Sequence, residues 1–223
     1  MRLVTWNCYR GAVAERLARL SPLEASVIAL QECRRPGAAA AGVVWRGTLA
    51  NQGVATAGRG LMVTEIPLPP QFPATVLPVL VSAPAPFILV NVWTLPTPTF
   101  EEYAMKAAAI SVASLGAELP TVLIGDFNAS PAIRYQRKTA ASMLRRLRDE
   151  FGLVSAYHAH HHVEPGGERD ATLFHQWKPD CRFHVDYCFV PETWVDTIQD
   201  VRVGSFDEWQ DSDHRPLTID LQL

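Results

Sequence analysis

Four apolar runs, each of strand length, meet a polar residue suited to chemistry at one end. The first strand closes with Thr5-Trp6-Asn7, the second with Gln31-Glu32, and a central one with Gly125-Asp126-Phe127-Asn128. The fourth, Leu217 to Leu223, is entered through Ser212-Asp213-His214-Arg215-Pro216. Such runs must sit side by side in sheets with their apolar bodies buried, which gathers carboxylates, amides and an imidazole at strand ends. One such ending means little. Four in this order mark a catalytic site.

The rest of the chain supports a layered fold. Val27 to Gln31, Phe87 to Trp93 and Thr121 to Gly125 are compact apolar runs that read as buried strands. Further strands are expected at residues 2–7, 43–46, 61–63, 74–81, 154–157, 172–174 and 183–190. Ala12 to Leu20 is helix-like and stops before Pro22. Thr99 and Glu102 form a capping box for a helix running toward Leu119. Ser130-Pro131 gives a second helix start, with Ser as cap and Pro in the first turn, reaching about Glu150. Two packed sheets with helices outside them is the architecture this pattern predicts.

Composition bounds the function. The 223 residues fit one domain over 1–223, and 48% hydrophobic content supplies a core. The formal net charge of -3 provides no global basic field for nucleic acid. Cys8, Cys33, Cys181 and Cys188 follow neither zinc-site nor disulfide-framework spacing, so reduced thiols are expected. With no cationic-then-apolar leader and no membrane-length apolar stretch, a cytoplasmic location is the expectation.

Strand alternation constrains the site. Side chains two apart share a face, so Asp126 and Asn128 converge if the extended backbone persists. By the same parity, Cys8 and Cys33 point away into packing. His158-Ala159-His160-His161-His162 beside Gly166-Gly167 reads as a solvated loop rather than a metal site. Arg134, Arg137, Lys138, Arg145, Arg146 and Arg148, with Tyr135 among them, form the one basic cluster. Such a run is ordinarily a solvated helix face; next to Asp126 it is also a candidate phosphate-tracking surface. Phe174, Trp177, Phe206 and Trp209 are core, rim or cleft aromatics.

The ordered set TWN, QE, GDFN, HVDY and SDH resembles the endonuclease/exonuclease/phosphatase superfamily and its DNase I-like fold, a resemblance that spans Thr5 to Pro216. The resemblance implies a four-layer α/β sandwich of two mixed β-sheets flanked by helices. It implies hydrolysis of phosphate esters with Mg²⁺ or Mn²⁺, on substrates from DNA and RNA to inositol phosphates and sphingomyelin. Carried onto this chain, Glu32 is the first metal ligand, supported by Asn7, and Asp213 is a second ligand, directly or through water. Asp126 orients and deprotonates the attacking water, Asn128 donates its amide to phosphate or holds that water, and His214 serves a phosphoryl oxygen. Asp186 is the carboxylate that orients His214 and raises its pKa. One departure stands at Trp93, where many relatives place a His or Tyr that touches phosphate. An indole N–H can donate a hydrogen bond but cannot transfer a proton, so either one catalytic hand is missing or Trp93 stacks on a base or other flat group; the plain alternative is a core aromatic.

The leading expectation is a nuclease whose substrate is held by Trp93, Arg134, Tyr135 and Arg137. The alternative is a phosphatase or phosphodiesterase acting on a phosphorylated small molecule or lipid headgroup, favoured by the acidic charge and Trp93. A non-catalytic binding protein is the third reading, opposed by the joint presence of Glu32, Asp126, Asn128, Asp213 and His214. No membrane span and no obligate protein partner are expected.

Overall fold

The computed structural model describes residues 1–37, 42–49, 52–69, 72–82, 84–95, 99–115 and 119–223. Two six-stranded mixed sheets pack face to face. The first contains β1 (Arg2–Asn7), β2 (Val27–Cys33), β3 (Val43–Leu49), β4 (Gln52–Gly58), β13 (Ile198–Val203) and β14 (Leu217–Leu221), in the order β13-β14-β1-β2-β4-β3. The second contains β5 (Val63–Glu65), β6 (Val76–Val81), β7 (Phe87–Trp93), β8 (Thr121–Asp126), β9 (Leu153–Ser155) and β12 (Asp186–Pro191), in the order β5-β6-β7-β8-β12-β9. A small hairpin of β10 (Leu173–Phe174) and β11 (Arg182–Phe183) stands apart.

Each sheet has one parallel pair at its centre, β1 with β2 and β7 with β8. Parallel neighbours end at the same edge, so Asn7, the Gln31-Glu32 turn and Asp126 come to one side of the sandwich. The antiparallel strands β12 and β14 start at that same side and deliver Asp186 and His214 there.

Alternation splits each strand between two cores. Leu3, Ala29, Val54 and Ile219 meet Leu77, Leu89, Ile124 and Cys188 between the sheets. The intervening residues Val4, Trp6, Cys8, Ile28, Leu30 and Cys33 face outward, under helix α1 (Val13–Arg19) and Trp209. On the other flank, α2 (Phe100–Leu115) and α3 (Arg137–Phe151) cover Val76, Ile88, Val90, Leu123 and Phe189. Helix, sheet, sheet and helix make the four layers, and among the described residues no helix is long and apolar enough to cross a membrane.

Several local expectations change. The helix expected from Ser130 begins only at Arg137, because residues 131–136 form turns held by Gln136, whose side chain bonds Ser130 N and Asn128 O. The strand expected at 154–157 stops at Ser155 and turns into α4 (Ala156–His161), so the histidine run is helical rather than a solvated loop. His158 is bonded to Ser155 Oγ at 2.8 Å and Glu168 Oε1 at 2.9 Å. The run 183–190 breaks at His184-Val185, leaving β12 to start at Asp186. Thr99 Oγ1 does accept the Glu102 amide at 3.1 Å, but α2 ends at Leu115; the expected reach to Leu119 crosses 116–118, outside the described residues.

Candidate active site

Asn7 is the hub. It is 1% exposed at the end of β1. Its Nδ2 donates to Glu32 Oε1 at 3.0 Å and to Asp126 Oδ2 at 2.9 Å, joining a carboxylate from each sheet. Its Oδ1 accepts the Tyr9 amide at 3.2 Å.

Glu32 reaches Asn7 through a break in strand alternation. Gln31 faces the inter-sheet space, so a regular strand would turn Glu32 outward. The β2–β4 register shifts between Leu30↔Ala55 and Cys33↔Gly53, three residues of β2 against two of β4. This is a β-bulge, and Glu32 sits in it at φ 51°. The extra residue lets Gln31 and Glu32 both serve the inner side, while Cys33 returns to the outer core.

Asp126 is fully buried at the end of β8. Beside it, Gly125 at φ 146° packs so tightly on Val92 that an added Cβ would collide with the Val92 carbonyl. The extended backbone does not persist, since Asn128 turns left-handed at φ 49°. Convergence with Asp126 comes instead from a fold-back: Asn128 N donates to Asp126 Oδ1 at 2.8 Å and its Nδ2 to Oδ2 at 3.0 Å. The same Nδ2 also donates to Thr94 O at 3.1 Å. The Asn128 amide is thus occupied within the protein.

Across from this cluster, His214 Nδ1 lies 2.8 Å from Asp186 Oδ2, and its Nε2 lies 4.0 Å from Asp126 Oδ2. Burial opposes the imidazolium, but the charges of Asp186 and Asp126 outweigh it and raise the His214 pKa to about 10. Burial likewise raises Asp126, against the opposing pull of the His214 cation. Among the described residues, buried Asp186 Oδ1 has no hydrogen-bond partner. The ligand atoms of Asp126, Asp186 and His214 lie within 4.8 Å of one another, an acidic and imidazole group able to hold a cation.

Sequence reasoning missed the brace behind this group. Thr172 Oγ1 accepts the amides of both Val185 and Asp186 at 3.0 Å, and Thr172 O accepts the Arg215 amide at 2.7 Å. A lone Thr before a short strand carries no signal of this. Ser212 Oγ donates to Asn7 O at 2.7 Å and accepts the His214 amide at 3.0 Å, tying the last loop to β1. Trp6 Nε1 donates to His214 O at 3.0 Å. Arg215 is buried behind His214; its Nη1 donates to Ser212 O at 2.6 Å and His214 O at 3.1 Å. Phe174 and Phe206 flank that guanidinium at 4.8 Å each, so these two aromatics serve Arg215 rather than an open cleft. Trp209 is buried against Trp6, and Trp177 meets Tyr9 edge-on at 5.0 Å.

Of the other anticipated residues, Asp213 and Trp93 adjoin this centre, one next to His214 in the chain and the other opposite Asp126 in the β7–β8 register. Asp213 is half-buried; its carboxylate supports the positive charge of His214 and Arg215. Trp93 is half-buried, opposite Asp126 in the β7–β8 register and packed against the inter-sheet core. Arg134 and Tyr135 are exposed on the turn between Asn128 and α3, and Arg137 is exposed at the first residue of α3. The basic cluster divides: Arg146 pairs with Glu101 and Glu150, and Arg148 with Glu192.

This geometry coincides with a family match. The sequence model of the endonuclease/exonuclease/phosphatase family matches residues 4–214. The chain belongs to that family. It is therefore a phosphate ester hydrolase of the DNase I-like fold. No curated protein sequence matches the chain. Solved structures of similar fold include a 3′ phosphatase from Neisseria bound to product DNA hairpin, at 20% identity and TM-score 0.72 over 100% of both chains. An AP endonuclease from Leishmania major has 14% identity and TM-score 0.75, with 100% of this chain and 87% of that one covered. An AP endonuclease from Archaeoglobus fulgidus has 14% identity and TM-score 0.71 over 100% of both.

Proposed function

We propose that this chain is a divalent-metal-dependent nuclease that cleaves DNA or RNA phosphodiester bonds by attack of an activated water. The observation that carries this reading is the Asn7 amide, which joins Glu32 to Asp126 opposite the Asp186–His214 pair.

The residues fit a hard cation. Glu32 uses one oxygen for Asn7, and Asp186 Oδ1 is an orphaned buried acceptor. Carboxylate and amide oxygens are the donors Mg²⁺ and Mn²⁺ prefer. Glu32 would hold the ion, with Asn7 and Asp213 beside it. A charged His214 is no ligand in that state. When bound, the ion supplies charge to the phosphoryl oxygens and leaving oxygen.

The chain's own groups then do the rest. Asp126 takes the proton of the attacking water, and its raised pKa brings a carboxylate base toward neutral pH, where such a base works best. Asn7 and Asn128 fix the orientation of that carboxylate, so Asn128 acts on the water through Asp126. His214, kept charged by Asp186, donates to a phosphoryl oxygen. Losing one such donor typically slows catalysis about a hundred- to a thousand-fold. Trp93, Arg134, Tyr135 and Arg137 would contact the polymer by stacking and charge. The DNA-bound Neisseria structure and the AP endonucleases support a nucleic acid substrate, and four free thiols support a cytoplasmic location.

The second reading is a phosphatase on a small molecule or lipid headgroup. The net charge of -3 and the ion-paired state of Arg146 and Arg148 favour it. Digestion of supercoiled plasmid and a labelled single strand with Mg²⁺, Mn²⁺ or EDTA separates the two. Metal-dependent cleavage should be lost in Glu32→Ala. Intact polymer in every lane, with phosphate released from soluble monoesters, would replace the nuclease by the phosphatase.

A further inference from the structure

Asn91 lies in β7, in the opposite sheet from Glu32, and is 0% exposed. Its Nδ2 donates to Ala55 O at 2.9 Å and Leu30 O at 3.2 Å, with Thr56 Oγ1 at 3.4 Å. Its Oδ1 accepts Gln31 Nε2 at 2.8 Å. Gln31 Nε2 also donates to Thr5 Oγ1 at 2.9 Å. Leu30 and Ala55 are the last facing pair before the β2–β4 register shifts. A bulge interrupts the ladder and leaves backbone groups to be satisfied by other means. One amide from the facing sheet thus bonds the two carbonyls at the edge of the break and the side chain of its first residue.

A buried asparagine in an apolar interface has to be explained by what it bonds. Apart from the 3.4 Å approach to Thr56, each of these bonds goes to the bulge, its neighbouring pair or Gln31. The bulge is what turns Glu32, at φ 51°, toward Asn7. We infer that Asn91 is a positioning residue for Glu32: it holds the β2 bulge, through Gln31 and the Leu30 carbonyl, in the form that aims the carboxylate into the site. This rests on the proposed role of Glu32 as the metal ligand.

The test is the Mn²⁺ dissociation constant of the folded protein, read from the electron paramagnetic resonance of free Mn²⁺, with stability measured in parallel. The variants are Asn91→Leu, the milder Asn91→Ser, Thr56→Val and Glu32→Gln. Partners one shell out from a metal ligand typically change metal affinity about 10- to 100-fold when removed. Asn91→Leu or Asn91→Ser, whichever folds, should weaken Mn²⁺ binding by that factor. Thr56→Val, which removes only the longest contact, should leave binding unchanged. Folded Asn91 variants that bind Mn²⁺ as wild type does would overturn the inference while leaving the function intact. Binding that is absent in wild type, or insensitive to Glu32→Gln, would overturn the function reading and the inference with it.

Discussion

At the scale of single residues, the site is built on unusual backbone. Glu32 and Asn128 both take positive φ without being glycine, and such residues typically cost about 1–3 kcal/mol each. Asn tolerates this region because its short side chain bonds locally, and here it bonds Asp126. Glu has no such excuse and is held by tertiary contacts. Gly125 is the converse case, a position no side chain can enter. Gly125→Ala should lower the unfolding free energy by about 3 kcal/mol, read by denaturant titration, because it adds both an unfavourable φ and a clash with Val92. A second residue-scale prediction concerns pH in metal-free protein. The folded His214 pKa, about 10, lies above its ordinary 6.5, so its stabilisation is complete below 6.5 and is lost as pH rises toward 10. Asp126 is also raised, from 3.8 to about 7, so stability falls over that interval too. Unfolding in EDTA should therefore show stability declining from pH 4 to 10. Asp126→Asn should remove the lower limb and move the upper one to lower pH, since Asp126 is one of the charges that raise His214. A level profile would refute the charged His214.

At the scale of elements, the site depends on how strand ends are tied together. β12 begins at Asp186 because Val185 and Asp186 spend their amides on Thr172 Oγ1 instead of continuing the β11 ladder. That is also why the apolar run 183–190, continuous in sequence, is two strands in space. Thr172→Val keeps the shape and leaves two buried amides without an acceptor. It should cost about 2 kcal/mol of stability and lower kcat more than KM, through a less well placed Asp186. Unchanged kcat in a destabilised variant would limit Thr172 to structure. The delayed start of α3 has a similar cause. Ser130-Pro131 is a good helix start by composition, yet Gln136 takes the Ser130 amide and Asn128 carbonyl and turns the intervening residues. Those turns leave Arg134 and Tyr135 exposed ahead of α3, which opens at the exposed Arg137.

At the scale of the whole molecule, the balance of charge decides how a polymer could be held. With Arg146 and Arg148 paired to acids, Arg134, Arg137 and Lys138 are exposed members of the basic cluster that follows Asp126 in the chain. If these track phosphates, single-strand binding by an Asp126→Asn protein should weaken with salt, and replacing Arg134 and Arg137 by Ala should reduce the log–log slope by about 1–2. Fluorescence anisotropy across a KCl series reads this directly; an unchanged slope would remove both residues from the substrate surface. Much of this architecture was legible beforehand. The apolar bodies of β1, β2, β7 and β8, and the polar residues that close them, follow from composition and alternation, which are local properties. So does the parity that sends Cys8 to the outer core, whereas Cys33 joins it only through the bulge at Glu32. What the tertiary structure decided is non-local. The bulge that turns Glu32 depends on pairing with β4 and on an amide from the other sheet. The fold-back of Asn128, the burial of His158 against Glu168, the Thr172 brace and the division of the basic cluster each require partners that only packing brings near. Periodicity states which face a side chain takes along a regular strand; where a strand breaks its own register, the energy of distant hydrogen bonds chooses the direction instead.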